Sequence, residues 1–283
     1  MTARSDRRRT GGGTGVELVK LFSRRRTWVA ILLLNLLPTI VAVLLAWTGI
    51  APRPGSGPAF LSAVVANGSL FGIAALAIVL PLFLPIAVAV VAGESVAGEA
   101  QAGTLRYLLV RPVGRTRLLV RKFGAITSFV LICVVSVAAI GYVVGRLLLG
   151  NAPLSSAMIS LSGSALTPGQ VAWRSVAAIG FITVSMLGVA AMALFLSTLT
   201  DSPQSASLGA LAFLIGSSIL LTVDAARPLQ PYLPTRYWLS FIDLYRDPIL
   251  WSNIERGLAL QGVYVVVLLA AAWANFTTRD ITS

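Results

Sequence analysis

Trp28-Val29-Ala30-Ile31-Leu32-Leu33-Leu34-Asn35-Leu36-Leu37-Pro38-Thr39-Ile40-Val41-Ala42-Val43-Leu44-Leu45-Ala46-Trp47-Thr48-Gly49-Ile50 follows directly on Arg24-Arg25-Arg26-Thr27. The stretch holds no charged residue and one polar amide. A helix of about 20 apolar residues covers a hydrocarbon core about 30 Å thick. The segment therefore reads as a transmembrane helix, and the three arginines mark its cytoplasmic end.

Working outward, five further runs have the same character. They extend from about Leu70 to Ala92, Ala125 to Leu149, Val176 to Leu199, Ser207 to Val223 and Leu258 to Phe276. No Asp, Glu, Lys or Arg lies well inside a run, except Arg146 near the end of the third. The expected fold class is all-α: a polytopic membrane protein with six transmembrane helices. Residues 1–15 read as a disordered basic tail and residues 16–283 as one transmembrane domain. Composition agrees, with 57% hydrophobic and 11% charged residues, against about 25% charged in a soluble domain. Mean hydropathy is +0.86.

The net charge of +12 raises nucleic acid as a partner, but its distribution points to a membrane and no nucleic acid. Arg4, Arg7, Arg8, Arg9, Lys20, Arg24, Arg25 and Arg26 precede the first run. Arg106, Arg111, Arg115, Arg117, Arg121 and Lys122 lie between the second and third, and Arg279 follows the sixth. The opposite side carries Arg53, Arg146, Arg174, Arg227, Arg236, Arg246 and Arg256. That asymmetry predicts both termini in the cytoplasm. Met1 to Thr27 lacks the short apolar core and small-residue cleavage site of a signal peptide.

Several functions are excluded by composition. Without histidine there is neither the commonest general base nor the commonest metal ligand, so no metal site is expected and histidine-dependent hydrolases are ruled out. Cys133 has no partner for an intramolecular disulfide and reads as a small buried hydrophobe. Gly11-Gly12-Gly13-Thr14-Gly15 lacks the lysine of a phosphate-binding loop, so the chain has no ATPase site of its own. Leu161-Ser162-Gly163-Ser164 reads as external linker. Asn67-Gly68-Ser69 and Asn275-Phe276-Thr277 match a glycosylation pattern that arises by chance in chains of this size. No catalytic residue is assigned.

Two connections stand out. Asp224 to Gly257 is long and rich in proline and in Tyr232, Tyr237, Trp238, Phe241, Tyr245 and Trp251. It reads either as short helices in the outer interface or as an aromatic-anchored loop. Its Asp243, Asp247 and Glu255 lie beside Arg236, Arg246 and Arg256 and read as local ion pairs. Before the first run, Val16, Leu18, Val19, Leu21 and Phe22 alternate with basic residues. That segment is either a helix in the interface plane or a cytosolic extension of the first span.

The second connection runs from Gly93-Glu94-Ser95-Val96-Ala97-Gly98-Glu99 to Lys122. Leu105, Leu108 and Leu109 fall at i, i+3 and i+4, giving a short helix one apolar face. Pro112 ends that helix, Gly114 permits a turn, and Thr116 is a candidate cap for the returning helix. A helix held between two spans is built to act as a lever.

The residues Glu94, Glu99, Gly103-Thr104-Leu105-Arg106, Leu108-Leu109, Pro112-Val113-Gly114-Arg115 and Lys122 resemble the corresponding segment in membrane subunits of type-2 ABC exporters. The basic element from Glu17 to Arg26, the six spans and the long last external loop are similar to that family too. The resemblance implies a permease subunit in the bacterial cytoplasmic membrane. It would pair with a second copy of itself or a homologous permease, and with cytosolic ABC ATPase subunits that use ATP and Mg. This chain would bind no cofactor. Residues from about Ala97 to Arg111 would form the coupling helix seated on the ATPase, with Glu94 and Glu99 holding the segment against basic groups.

Spans rich in Leu, Val, Ala and Ile suit a hydrophobic or amphipathic cargo such as a drug, a lipid or a peptide. The small residues Gly180, Ser185, Gly188 and Ala191 offer close helix packing. An ion-coupled carrier is disfavoured because such proteins place acidic or histidine relays inside their spans. A purely structural membrane component would leave the lever-like segment without a role.

Overall fold

The computed structural model describes residues 19–49, 68–101, 115–150, 158–159 and 165–278. Among these, six helices are long and apolar enough to cross a membrane. The protein is an all-helical polytopic membrane protein. The helices are α1 (Arg25–Thr48), α2 (Phe71–Val79), α3 (Phe83–Gln101), α4 (Arg115–Leu148), α5 (Pro168–Leu199), α6 (Pro203–Leu220) and α7 (Trp251–Thr278). A 3-10 turn, Gly68–Leu70, leads into α2. The only pairing of extended backbone among the described residues is Met158–Ile159 against Ala165–Leu166, antiparallel.

The second span is not one helix. α2 and α3 are separated by the turn at residues 80–82. Pro81 and Pro85 remove two N–H donors one helical turn apart, and each ring crowds the preceding turn. The apolar run also does not stop at Ala92: α3 continues through Glu94 and Glu99 to Gln101. Ala97 to Gln101 are therefore its last turn, and a separate coupling helix cannot start at Ala97. Residues 102–114, which include Gly103, Thr104, Leu105, Arg106, Leu108, Leu109 and Pro112, lie outside the described residues.

Helix starts are set by local chemistry. Thr167 caps α5: its hydroxyl accepts from Gln170 N–H at 3.3 Å and Gln170 Oε1 accepts from Thr167 N–H at 2.9 Å. This is a capping box with Pro168 in the first helical position. Ser202 accepts from Ser205 N–H at the start of α6, again with proline next. α4 begins at Arg115, so Thr116 lies inside the first turn rather than capping it. α1 ends at Gly49, whose φ of 63° suits glycine and whose N–H reaches Leu45 O at 2.9 Å.

α5 is the central helix, with 67% of its apolar window buried, against 22% for α1 and 17% for α7. α3 packs on α5 and α6, α7 on α5, and α1 and α2 on α4. The core runs through Phe71, Leu76, Leu80, Leu84, Phe129, Ile182, Met186 and Leu194. α4 and α5, at 34 and 32 residues, extend about 50 Å at 1.5 Å per residue, well beyond the hydrocarbon.

α2 and α4 approach each other closely. Gly68 and Gly72 face Gly145 and Ala138, and Gly141 faces Ala75. A Cβ on Gly68 would strike the Gly145 carbonyl, and one on Gly72 would lie 2.5 Å from the Ala138 carbonyl. Both sides of the contact read Gly-x-x-x-Gly, at 68–72 and 141–145, the spacing that lets helix backbones meet.

Candidate functional site

The strongest concentration of charge lies at the end of the bundle formed by the start of α1, the end of α3 and the start of α4. Glu99 is 4% exposed. Its Oε1 accepts from Lys20 Nζ at 2.5 Å, and its Oε2 lies 2.6 Å from Lys122 Nζ. Lys122 is equally buried and also donates to the Ser95 carbonyl. One helical turn earlier, Glu94 takes Arg26 Nη1 at 2.9 Å on Oε1 and Arg24 Nη1 at 3.2 Å on Oε2. Two carboxylates thus tie residues 20–26 and α4 to α3.

The pairs differ in environment. Breaking a buried ion pair by removing one partner costs about 3–5 kcal/mol, because a charge is left without compensation. Arg26 is 83% exposed, and an exposed pair contributes about 0–1 kcal/mol. Glu99 with Lys122 is therefore the structural lock, and Glu94 with its arginines the outer layer.

Residues 19–22 are helical and turn sharply into α1. Thr27 Oγ1 donates to the Leu21 carbonyl at 2.6 Å and Trp28 Nε1 to the Phe22 carbonyl at 2.8 Å. The Phe22 and Trp28 rings meet edge to face. These contacts close the elbow that presents Lys20 and Arg24 to α3.

Above the charges, a cavity of about 240 Å³ opens between α1, α3 and α4. Its walls are apolar, including Ala30, Leu33, Ile86, Ala87, Val90 and Ile126, and its floor is the charged cluster. Deeper in the bundle, Ser197 of α5 inserts its hydroxyl into the turn of α3 between Gly93 and Ala97. It donates to Gly93 O at 2.7 Å and accepts from Val96 and Ala97 N–H. The same end is tied by Trp273 Nε1 to Thr116 Oγ1 and by Asn275 Nδ2 to the Thr198 carbonyl. Asn275 is thus occupied in helix packing.

The opposite end is a polar knot under an aromatic cover. The connection between α6 and α7 forms three 3-10 turns, Asp224–Ala226, Gln230–Tyr232 and Trp238–Tyr245. Asp243 accepts from Arg246 Nε at 2.8 Å and from Asn253 Nδ2 at 2.9 Å. Buried Arg174 of α5 donates to the Arg246 carbonyl. Tyr245 shares a 2.8 Å hydrogen bond with Ser175, and burial pushes its hydroxyl above the usual tyrosine range. Gln261 of α7 donates to the Pro234 carbonyl. Of the acidic residues expected to pair locally, Asp243 does so with Arg246, and Asp224, which the sequence reading does not single out, pairs with Arg227. Arg236 instead donates to Gln230 and lies over the Tyr237 ring.

Of the expected site residues, Glu94 and Glu99 come together with basic groups. Arg115 opens α4. The others, from Gly103 to Pro112, fall outside the described residues. Lys20, Arg24, Arg26 and Lys122 are legible in the sequence as orienting charge and as basic groups near Glu94 and Glu99, but which of them pairs with which carboxylate depends on how three helices meet. Among the described residues no group of three or more His, Cys, Asp or Glu could hold a metal.

Helices, charge cluster and aromatic cap together define a six-span helical membrane protein with one basic end. The chain belongs to a family described as "Protein of unknown function (DUF2705)", matched over residues 39–282. The match includes Glu94, Glu99 and Lys122 and leaves out Lys20, Arg24 and Arg26. No curated protein matches the chain.

Proposed function

We propose that this chain is the membrane-spanning permease subunit of an ATP-driven exporter of the type-2 ABC class. It works with a separate cytosolic ATPase and moves a hydrophobic or amphipathic substrate across the bacterial cytoplasmic membrane. The observation that carries the reading is the double clamp on α3. Glu94 and Glu99 fasten the end of that helix to the elbow before α1 and to α4. Residues 102–114 join α3 to α4 at this clamped end, so a force on them reaches three helices at once. The bundle alternates so that both described termini share the basic end, which this reading places in the cytoplasm. The pairing with a second copy and the coupling roles of Gly103, Thr104, Leu105, Arg106, Leu108, Leu109, Pro112 and Arg115 belong to the same proposal.

Coexpression with an ABC ATPase from the same locus, copurification and reconstitution test it. Leu105→Asp or Leu108→Asp should uncouple transport from ATP hydrolysis while leaving membrane insertion intact. Unchanged transport and hydrolysis in both variants would overturn the coupling assignment. One observation favours a second reading, an ion-coupled carrier: the buried Glu99–Lys122 pair joins two helices that are each long enough to span. Transport driven by an ion gradient without any ATPase would decide for it.

A further inference from the structure

We infer that the cavity above the charged cluster seats the headgroup and the upper part of an acyl chain of one anionic phospholipid, retained as part of the protein. The inference does not depend on the transport role. Among the described residues, four cations at this site share two carboxylates: Lys20 and Lys122 divide Glu99, and Arg24 and Arg26 divide Glu94. The floor of the cavity is therefore positive in excess. Arg24 and Arg26 are exposed enough to take a further anionic partner.

The walls specify the rest of the ligand. Leu33, Phe83 and Val90 line the cavity and are also 54%, 40% and 40% exposed, so the cavity borders the outer, lipid-facing surface of the bundle. A soluble anion would satisfy the arginines and leave these walls without a partner. A zwitterionic lipid would fill the walls and bring no net charge to the floor. A phospholipid whose phosphodiester is not compensated by an ammonium of its own uses both, with the phosphate at Arg24 and Arg26 and an acyl chain against Ala30, Ile86 and Val90.

The test uses the full chain in nanodiscs of phosphatidylcholine with a minority of phosphatidylglycerol. Retained lipid is counted by native mass spectrometry after transfer to detergent. One phosphatidylglycerol per chain is expected, with a preference over phosphatidylcholine of roughly tenfold from the excess positive charge. The paired change Arg24→Gln with Arg26→Gln should abolish the preference while keeping some lipid. Ala30→Trp, which fills the cavity and leaves the charges, should remove retained lipid of both kinds. Glycerol phosphate, a headgroup without a chain, should not displace the lipid. Equal retention of both lipids by the unaltered chain would overturn the inference. Displacement by glycerol phosphate would also overturn it, in favour of a soluble anion. These two arms need no variant, so they decide even where a substitution prevents folding.

Discussion

Glu94 and Glu99 stand five residues apart on one helix and face opposite consequences of losing their charge. Glu99→Gln leaves Lys122, 3% exposed, beside a neutral amide. The expected cost is about 3–5 kcal/mol, read as a large drop in the thermal unfolding midpoint of the detergent-solubilised protein. Glu94→Gln releases two exposed arginines and should cost under about 1 kcal/mol. A companion change, Glu99→Leu with Lys122→Met, removes both charges and should recover much of the stability, since replacing a buried pair with apolar groups is often neutral. Near-equal effects of the two glutamine substitutions would contradict the division into lock and outer layer. In the sequence, both glutamates are visible as acidic residues near a basic region. Which of them is buried is not, because burial depends on how α1 and α4 close over α3.

At the scale of elements, most boundaries have signals in the sequence that hydropathy alone passes over. The fourth and fifth apolar runs suggest starts at Val176 and Ser207, but the helices begin at Pro168 and Pro203. In both places a hydroxyl residue followed by proline announces the start, and at Thr167 the Gln170 partner completes the box. The break in the second span is legible in the same way, since Pro81 and Pro85 cannot sit quietly inside one ladder. Of the small residues that the sequence offers for close packing on α5, Ser185, Gly188 and Ala191 are buried and Gly180 is not, and a further close contact joins α2 to α4. Gly180 of α5 has open space where a Cβ would stand, whereas Gly68, Gly72, Gly141 and Gly145 press helix against helix. Gly188 does pack tightly, but against the Gln261 side chain. Composition shows which residues are small; only the way the helices meet shows which of them lie at a backbone contact. Gly145→Leu should therefore separate α2 from α4 and cost about 3 kcal/mol or more, because the Gly68 carbonyl cannot move aside. Gly180→Ala should be neutral or stabilise by up to about 1 kcal/mol through helix propensity. Unfolding midpoints of the two variants, measured side by side, check the contrast.

The whole molecule has two unlike ends, and the charge on each ties membrane orientation to the fold. Lys20, Arg24, Arg26, Arg117, Arg121 and Lys122 gather where α1 and α4 begin and α3, α5 and α7 finish. The aromatic-rich connection closes the other end over Arg174 and Asp243. Lipid-facing helices α1 and α7 expose Leu32, Leu44, Val263 and Val266, so the bundle presents an apolar belt between these ends. The proposed orientation puts this basic end, with its excess of Lys and Arg, in the cytoplasm. Single cysteines in a Cys133→Ala background test this with a membrane-impermeant thiol reagent on intact cells. In the long connection, Asp243 is a poor position for a label, being 8% exposed and bonded to Arg246 and Asn253. Arg227, 76% exposed in the same connection, is the better one. A cysteine at Arg227 should be labelled in intact cells, and one at Arg117 only after the membrane is opened. The reverse pattern would invert the protein in the membrane. It would move the clamp on α3 to the outside, and with it remove the basis for a cytosolic motor acting on residues 102–114.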